Sequence, residues 1–356
     1  MNMRIGIIGH FAFGRDDISD GQTVKTRTLF EALKEEYPNA GFYIVDTYNY
    51  KKRPLKTLFN TIQLILNTRN IFVLLSVNGR KMYFPMLHYI SKIKRINVYH
   101  DVIGGSFAKE LELNKRWIKY VNSFVVNWVE VEGLKKEIES LGIKNAEVLP
   151  NFKKIKCINE NDIIYPQKEI YEFCTFSRVC KEKGITTAIN CINRINKRYK
   201  KNIVKLHIYG KIDDNYREEF SKLLNENIIY EGIVDYNKSV EILNGYYMLL
   251  FPSTYPGECY PGTIIDAYSS GVPVISSDWR YNSELVINNE TGFLYNYRSK
   301  KELLEKMDYS INNTEEVNRM RKKCLEYVRN NNADKNIKII KKKVKEYNGG
   351  GNNFKL

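Results

Sequence analysis

At 356 residues the chain is too long for one ordinary hydrophobic core and fits two domains of roughly 150 to 200 residues each. With 43% hydrophobic and 27% charged residues it is not compositionally disordered, and no run approaches the roughly 18 apolar residues of a membrane span. The net charge of +15 is uneven: between Lys51 and Lys119 stand 14 Lys and Arg against three acids (Asp101, Glu110 and Glu112), a local excess of +11.

The opening MNMRIGIIGHFAFG turns polar too early for a signal peptide, so a soluble chain that stays in its compartment of synthesis is expected. RIGIIGH reads as a strand and TVKTRTLFEALKEE as a helix. GFYIVDTY, NIFVLLSV, RINVYHD and SFVVNWVE read as further strands. Gly9, Gly14 and Gly21 punctuate the loop after the first strand, without the GxGxxG spacing of a dinucleotide site. Nicotinamide binding is therefore disfavoured. KKRPLKTLFNTIQLILNTRN places Leu55, Leu58, Phe59, Ile62, Ile65 and Leu66 on one helical stripe behind the basic cluster Lys51, Lys52, Arg53 and Lys56. Two readings of it stand: the helix lies on anionic lipid, or the stripe packs on the domain's own sheet while the lysines are solvated. Nucleic acid is not an expected partner, because no binding motif occurs and no basic stretch is regularly interleaved with aromatics.

The second half restarts the pattern. YEFCTFSR, VKLHIYG, IIYEGI, YYMLLFPS and VPVISSD read as strands, with helices through TTAINCINRINKRYK and YREEFSKLLNE. Alternating strands and amphipathic helices build a parallel sheet covered on both faces, so two α/β units are laid end to end. The expected seam is the polar stretch from Lys153 to Lys168, dividing an N-terminal domain (1–155) from a second (156–335). KNIKIIKKKVKEY reads as a basic helix opening a last segment (336–356) whose end should fray. The six cysteines (Cys157, Cys174, Cys180, Cys191, Cys259 and Cys324) lack CxxC pairs and metal-ligand spacing, so reduced, structural thiols are expected.

Ligands of open parallel sheets collect at the carboxyl ends of the strands, and the richest motif follows such a strand. From Phe251 to Tyr295 the sequence runs FPSTYPGECYPGTIIDAYSSGVPVISSDWRYNSELVINNETGFLY. A loop carries Glu258, and Pro261, Gly262 and Thr263 open a helix whose first N–H groups and positive dipole end favour an anion. Asp266 follows on that helix. Glu258 and Asp266 are either an acid facing a sugar and an acid gripping ribose hydroxyls, or simply a loop acid and a solvated helix carboxylate. Upstream, FCTFSRVCKEKGITTAI puts Arg178 after a strand and Lys183 just before a helix, where a planar fork and a second cation can neutralise a diphosphate.

These stretches resemble glycosyltransferase family four. Its members carry Glu, seven residues, then Glu where Glu258 and Asp266 stand, although Asp266 is the shorter acid and CYPG replaces the common GFG. GVPVISSD, Glu284 and TGFLY continue the likeness, and so do Arg178 and the Lys183-Gly184 pair. RINVYHDVIGG resembles the family position where a His lines the reaction centre, here His100, and Pro150-Asn151 matches the pair closing the family's first domain. The resemblance implies a GT-B fold, two Rossmann-like domains facing across a cleft, with the C-terminal helix returning to the first domain as in related folds. It implies a retaining hexosyltransferase acting on a nucleotide diphosphate sugar, with a glycan or lipid-linked acceptor in capsule, exopolysaccharide or lipopolysaccharide assembly. His100, Arg178, Lys183 and Glu258 would be catalytic. Gly14, Arg178, Lys183, Gly210, Glu258, Gly262, Thr263 and Asp266 would bind the donor. The sequence contains no Asp-x-Asp, so no metal or other cofactor is expected. Localisation is expected to be cytoplasmic, with a peripheral position on the inner face of the membrane if the basic cluster engages lipid. A glycoside hydrolase would not need the two cations, a nucleotide-sugar epimerase would act without an acceptor, and a non-catalytic carbohydrate-binding or scaffold protein would lack nucleotide affinity.

Overall fold

The computed structural model describes residues 3–15, 20–153, 156–165 and 169–349. The expected seam falls partly on residues outside these, and so does the expected frayed tail beyond 349. Two compact units emerge: residues 1–154 with 332–356, and residues 155–331. The second unit thus ends at Asn331, where a boundary at 335 was expected.

The first unit contains β1 (Arg4–Gly9), α1 (Gly21–Glu36), β2 (Gly41–Asp46), α2 (Pro54–Asn67), β3 (Asn70–Leu74) and α3 (Val77–Lys94). It continues with β4 (Asn97–Asp101), α4 (Phe107–Leu113), α5 (Arg116–Val121), β5 (Val126–Val129), α6 (Glu132–Ser140) and β6 (Ala146–Val148). All pairings are parallel, in the order β2-β1-β3-β4-β5-β6. Strands β3, β4 and β5 are buried almost throughout, as a sheet covered on both faces requires, and they bury the polar Asn70, His100, Asp101 and Asn127 with their apolar residues. Helix α1 begins on Asp20, whose carboxylate accepts from the N–H groups of Gln22 and Thr23.

The second unit contains β7 (Tyr171–Phe176), α7 (Ile185–Tyr199), β8 (Val204–Tyr209), α8 (Arg217–Ser221), β9 (Ile228–Gly232) and α9 (Ser239–Leu243). Then come β10 (Met248–Phe251), α10 (Gly262–Ser269), β11 (Val274–Ser277), β12 (Gly292–Tyr295), α11 (Lys300–Asn312) and α12 (Thr314–Asn330). Its parallel sheet runs β12-β11-β10-β7-β8-β9. The helix expected through YREEFSKLLNE is shorter than its sequence suggested: α8 ends at Ser221.

The final helix, α13 (Ala333–Gly349), belongs to the first unit. Ile340 and Val344 enter the cluster formed by Ile5, Leu29, Phe72 and Trp128, and the Asn336 amide donates to Pro150 O. Lys341 pairs with Glu36 and Lys343 with Glu147.

In both sheets the chain reverses its direction of strand addition once, between β1 and β3 in the first unit and between β7 and β10 in the second. A crevice opens at such a switch point because the connections on its two sides leave over opposite faces.

The second reading of the α2 stripe is overturned. Helix α2 buries Thr61 and Leu64, while Leu55, Leu58, Phe59, Ile62 and Leu66 are exposed. The cause lies in β1: a Cβ at Gly6 would stand 2.8 Å from Leu64 Cγ and 2.9 Å from Thr68 Oγ1. The helix rides close to the strand on the Leu64 face and turns the stripe outward.

Candidate functional site

At the switch point of the second unit, β7 leads into Arg178 and Lys183, and β10 leads into Ser253, Tyr255 and Glu258. The two loops are strapped together. Thr254 N donates to Glu182 O at 2.7 Å, and Gly184 sits at φ +73° so tightly against the other loop that a Cβ would come within 2.2 Å of Pro252 O. Only glycine satisfies both conditions. The strap places Lys183 Nζ against Glu258 Oε1 in an ion pair whose side chains are 13% and 7% exposed. Ser253 Oγ donates to the same carboxylate oxygen at 2.7 Å. Lys183 and Arg178 both stand over the Tyr255 ring, at 5.0 and 5.2 Å from its centre, and Arg178 also reaches Asp213 at 3.6 Å.

Helix α10 is tied to the same place. Thr263 Oγ1 donates to Phe176 O, the last carbonyl of β7, at 2.5 Å, so the helix N-terminus abuts the strand that delivers Arg178. Gly210, at the end of β8, has φ +131°, and a Cβ there would lie 1.8 Å from Ser177 O. Asp266 is buried on α10. The described residues thus gather two cations, a helix N-terminus with unpaired N–H groups, and a carboxylate partnered by one of the cations. Such a set can accept a polyanion by exchanging carboxylates for phosphate oxygens.

In the first unit, residues 11–15 after β1 are tied down by two side chains. Asp46 accepts from the N–H groups of Phe11, Ala12, Phe13 and Tyr48 at 2.9 to 3.3 Å, while Arg27 donates to Phe11 O, Ala12 O and Arg15 O. Gly14, at φ +75° with nothing within 4 Å of a Cβ, is required there for its backbone alone. His10 Nδ1 lies 2.8 Å from Thr23 Oγ1, whose proton goes to Asp20 Oδ2 at 2.8 Å. The Thr hydroxyl has one proton to give, so His10 Nδ1 must donate and a neutral ring carries its lone pair on Nε2. Deeper in, Lys25 Nζ joins Asp101 Oδ1 at 2.7 Å, Glu130 Oε1 at 2.8 Å and Val102 O at 2.8 Å. Burial alone would lower the Lys25 pKa, but Asp101 and Glu130 overcome it and hold it above its ordinary value. Burial lifts the Asp101 carboxyl to about 6 against the pull of Lys25.

Residues 159–327 match the family model described as glycosyl transferases group 1. The matched span falls inside the second unit, residues 155–331. A curated relative described as an uncharacterized 41.2 kDa protein in the cps region of Klebsiella pneumoniae is 28% identical over 78% of this chain and 69% of its own length. An uncharacterized glycosyltransferase of Methanocaldococcus jannaschii is 26% identical over 74% of this chain, which spans 64% of that relative's length. Anabaena HepE in complex with UDP-glucose superposes with a TM-score of 0.75 at 13% identity, covering 97% of this chain and 100% of that one. Sucrose-phosphate synthase from Thermosynechococcus elongatus gives 0.70 at 14% identity over 98% and 100%. With these neighbours and its two six-stranded parallel sheets, the chain has the GT-B fold.

Within the second unit, Arg178, Lys183, Glu258 and Thr263 converge, and Gly210 and Gly262 lie at a strand end and at the helix start beside them. Gly14 and His100 belong to the other unit, where His100 is buried on β4. His100 has 0% exposure, sits edge-on to Phe84, Phe107 and Phe124 and lies 2.9 Å through Nδ1 from Asn127 Oδ1. Desolvation lowers its pKa to about 3, with Arg80 adding to the effect. The ring is therefore uncharged at neutral pH. The sequence reading passed over Ser253, Tyr255 and Asp213 beside the site, and His10. Position alone signals them, since each follows the carboxyl end of a strand.

Proposed function

We propose that the protein is a retaining glycosyltransferase that moves a hexose-type sugar from a nucleotide diphosphate donor to an acceptor. The observation that carries the proposal is the convergence of Arg178 and Lys183 with the start of α10 at the β7/β10 switch point. In this reading the donor diphosphate displaces Asp213 from Arg178 and Glu258 from Lys183, and its oxygens also meet the first N–H groups of α10. As the bond to the anomeric carbon breaks, charge grows on the β-phosphate, and fixed cations and N–H dipoles stabilise it where it forms. Glu258, freed from Lys183, faces the sugar, and Asp266 serves the ribose hydroxyls once a nucleotide opens its surroundings. A leaving phosphate that takes the acceptor's proton on the same face would give retention, and charge neutralisation by two side chains makes a metal unnecessary. The UDP-glucose complex of HepE supports the donor class. The cps-region relative supports a glycan or lipid-linked oligosaccharide acceptor in cell-surface polysaccharide synthesis.

Calorimetry with a panel of nucleoside diphosphates, chelator present throughout, tests the reading. One nucleotide should bind the wild type with micromolar affinity, and Arg178→Ala should weaken it by roughly 10- to 100-fold, the worth of one charged hydrogen-bonding group. Absence of binding by every nucleotide would leave a carbohydrate-binding or scaffold role in its place.

A further inference from the structure

Helix α2 presents an apolar face with no partner among the described residues. Leu55 is 81% exposed, Leu58 57%, Phe59 60%, Ile62 47% and Leu66 64%. These positions recur at the spacing of a single helical face. The face continues onto α3. Lys94 donates to the carbonyls of Ile65 and Leu66, which ties the ends of the two helices together and sets Ile93, 85% exposed, beside that end.

The charges around this face have one sign. Lys51, Lys52, Arg53 and Lys56 precede or open α2, and Arg69, Lys92 and Arg95 lie at the far ends of α2 and α3. All seven are exposed, and none forms an ion pair among the described residues. Across this span of helices no acid intervenes: the first carboxylate after Asp46 is Asp101, and it is buried with Lys25. A protein partner covering so large an apolar face would need acids of its own to meet seven cations, and a second copy of this chain would bring the same positive charge to the contact. An anionic lipid surface meets both features at once: its headgroups take the cations and its acyl boundary takes the side chains. None of the described helices is long and apolar enough to cross a bilayer, so the helix would lie in the interface.

We infer that α2, with the end of α3, is an interfacial membrane-docking surface specific for anionic lipid. The inference goes beyond the sugar-transfer reading and does not depend on it. Catalysis plays no part in it, and none of its residues belongs to the donor site.

The test is vesicle flotation of the full chain without nucleotide sugar, comparing phosphatidylcholine vesicles with vesicles containing phosphatidylglycerol. The wild type should float with the anionic vesicles, release as salt rises, and stay behind with the neutral ones. Phe59→Glu with Ile62→Glu should abolish flotation, and since both side chains are exposed the variant should keep its circular dichroism spectrum. Reversing Lys51, Lys52, Arg53 and Lys56 to Glu should weaken binding by roughly a hundredfold or more. Flotation that survives Phe59→Glu/Ile62→Glu, or that is equal on neutral vesicles, would overturn the inference. So would a dimer in light scattering that the same double substitution dissociates, since the face would then belong to a second copy. Nucleotide affinity, measured separately, should be the same in all variants, so failure of docking and failure of the transferase reading are told apart.

Discussion

A buried neutral histidine makes a fold sensitive to acid, and His100 allows the size of the effect to be worked out. In the unfolded chain the ring titrates near 6.5, whereas in the folded unit it does so at about 3. The folded-state value is depressed, so its contribution to stability is complete above about pH 6.5 and is lost as the pH falls toward 3, because the unfolded chain binds a proton that the native ring refuses. Between about pH 7 and about pH 4.5 the linkage amounts to about 2.5 kcal/mol. Asp101 works the other way over the same range, since its raised value near 6 favours the protonated native state as the pH falls. The comparison must therefore be between the wild type and His100→Gln, in which the Asp101 contribution is common and cancels. Urea denaturation followed by tryptophan fluorescence, to which the first unit contributes buried Trp117 and Trp128, should show His100→Gln less stable at neutral pH. It should also lose about 2.5 kcal/mol less than the wild type on acidification. Equal losses in the two proteins, or a ring that titrates near its ordinary value by NMR, would refute the placement of His100 in the core.

Gly184→Ala should cost at least about 2 kcal/mol of stability by thermal denaturation and weaken nucleotide binding with it, because strained backbone and a clash with Pro252 O act together. Gly142→Ala is the control: its φ is +99° but the nearest atom to a Cβ is 3.9 Å away, so only about 1 kcal/mol of backbone strain should appear, with no change in binding. Lys25→Met leaves Asp101 and Glu130 buried without their cation and should destabilise by about 3 to 5 kcal/mol at neutral pH. Without Lys25, which holds the Asp101 carboxyl down, burial raises it above about 6, so denaturation of that variant should show stability returning as the pH falls through a value higher than in the wild type.

Strand and helix identities were legible because parallel α/β units write themselves as short apolar runs alternating with amphipathic ones, and the strands that carry Arg178 and Glu258 were placed this way. The facing of elements was less legible. All but the first residue of β4 are buried, so the alternation that would tell an inward His100 from an exposed one is missing. The apolar stripe of α2 was plain, but whether it met the sheet depended on Gly6 admitting Leu64 on the opposite side. Likewise, Lys183 and Glu258 were named separately as cation and acid. Their pairing depends on the contact between Gly184 and Pro252, two residues far apart in sequence whose approach no local pattern encodes.

The first unit is discontinuous in the chain: its sheet is made from residues 4–148, yet α13, which supplies Ile340 and Val344 to its core, comes after the whole of the second unit. During synthesis the half made first is therefore the half completed last. The sheet must wait, with the surface around Trp128 and Leu29 still open, while some 180 residues of a contiguous domain are made and fold independently. A truncation before Ile340 would thus damage the unit whose sheet is built from residues 4–148.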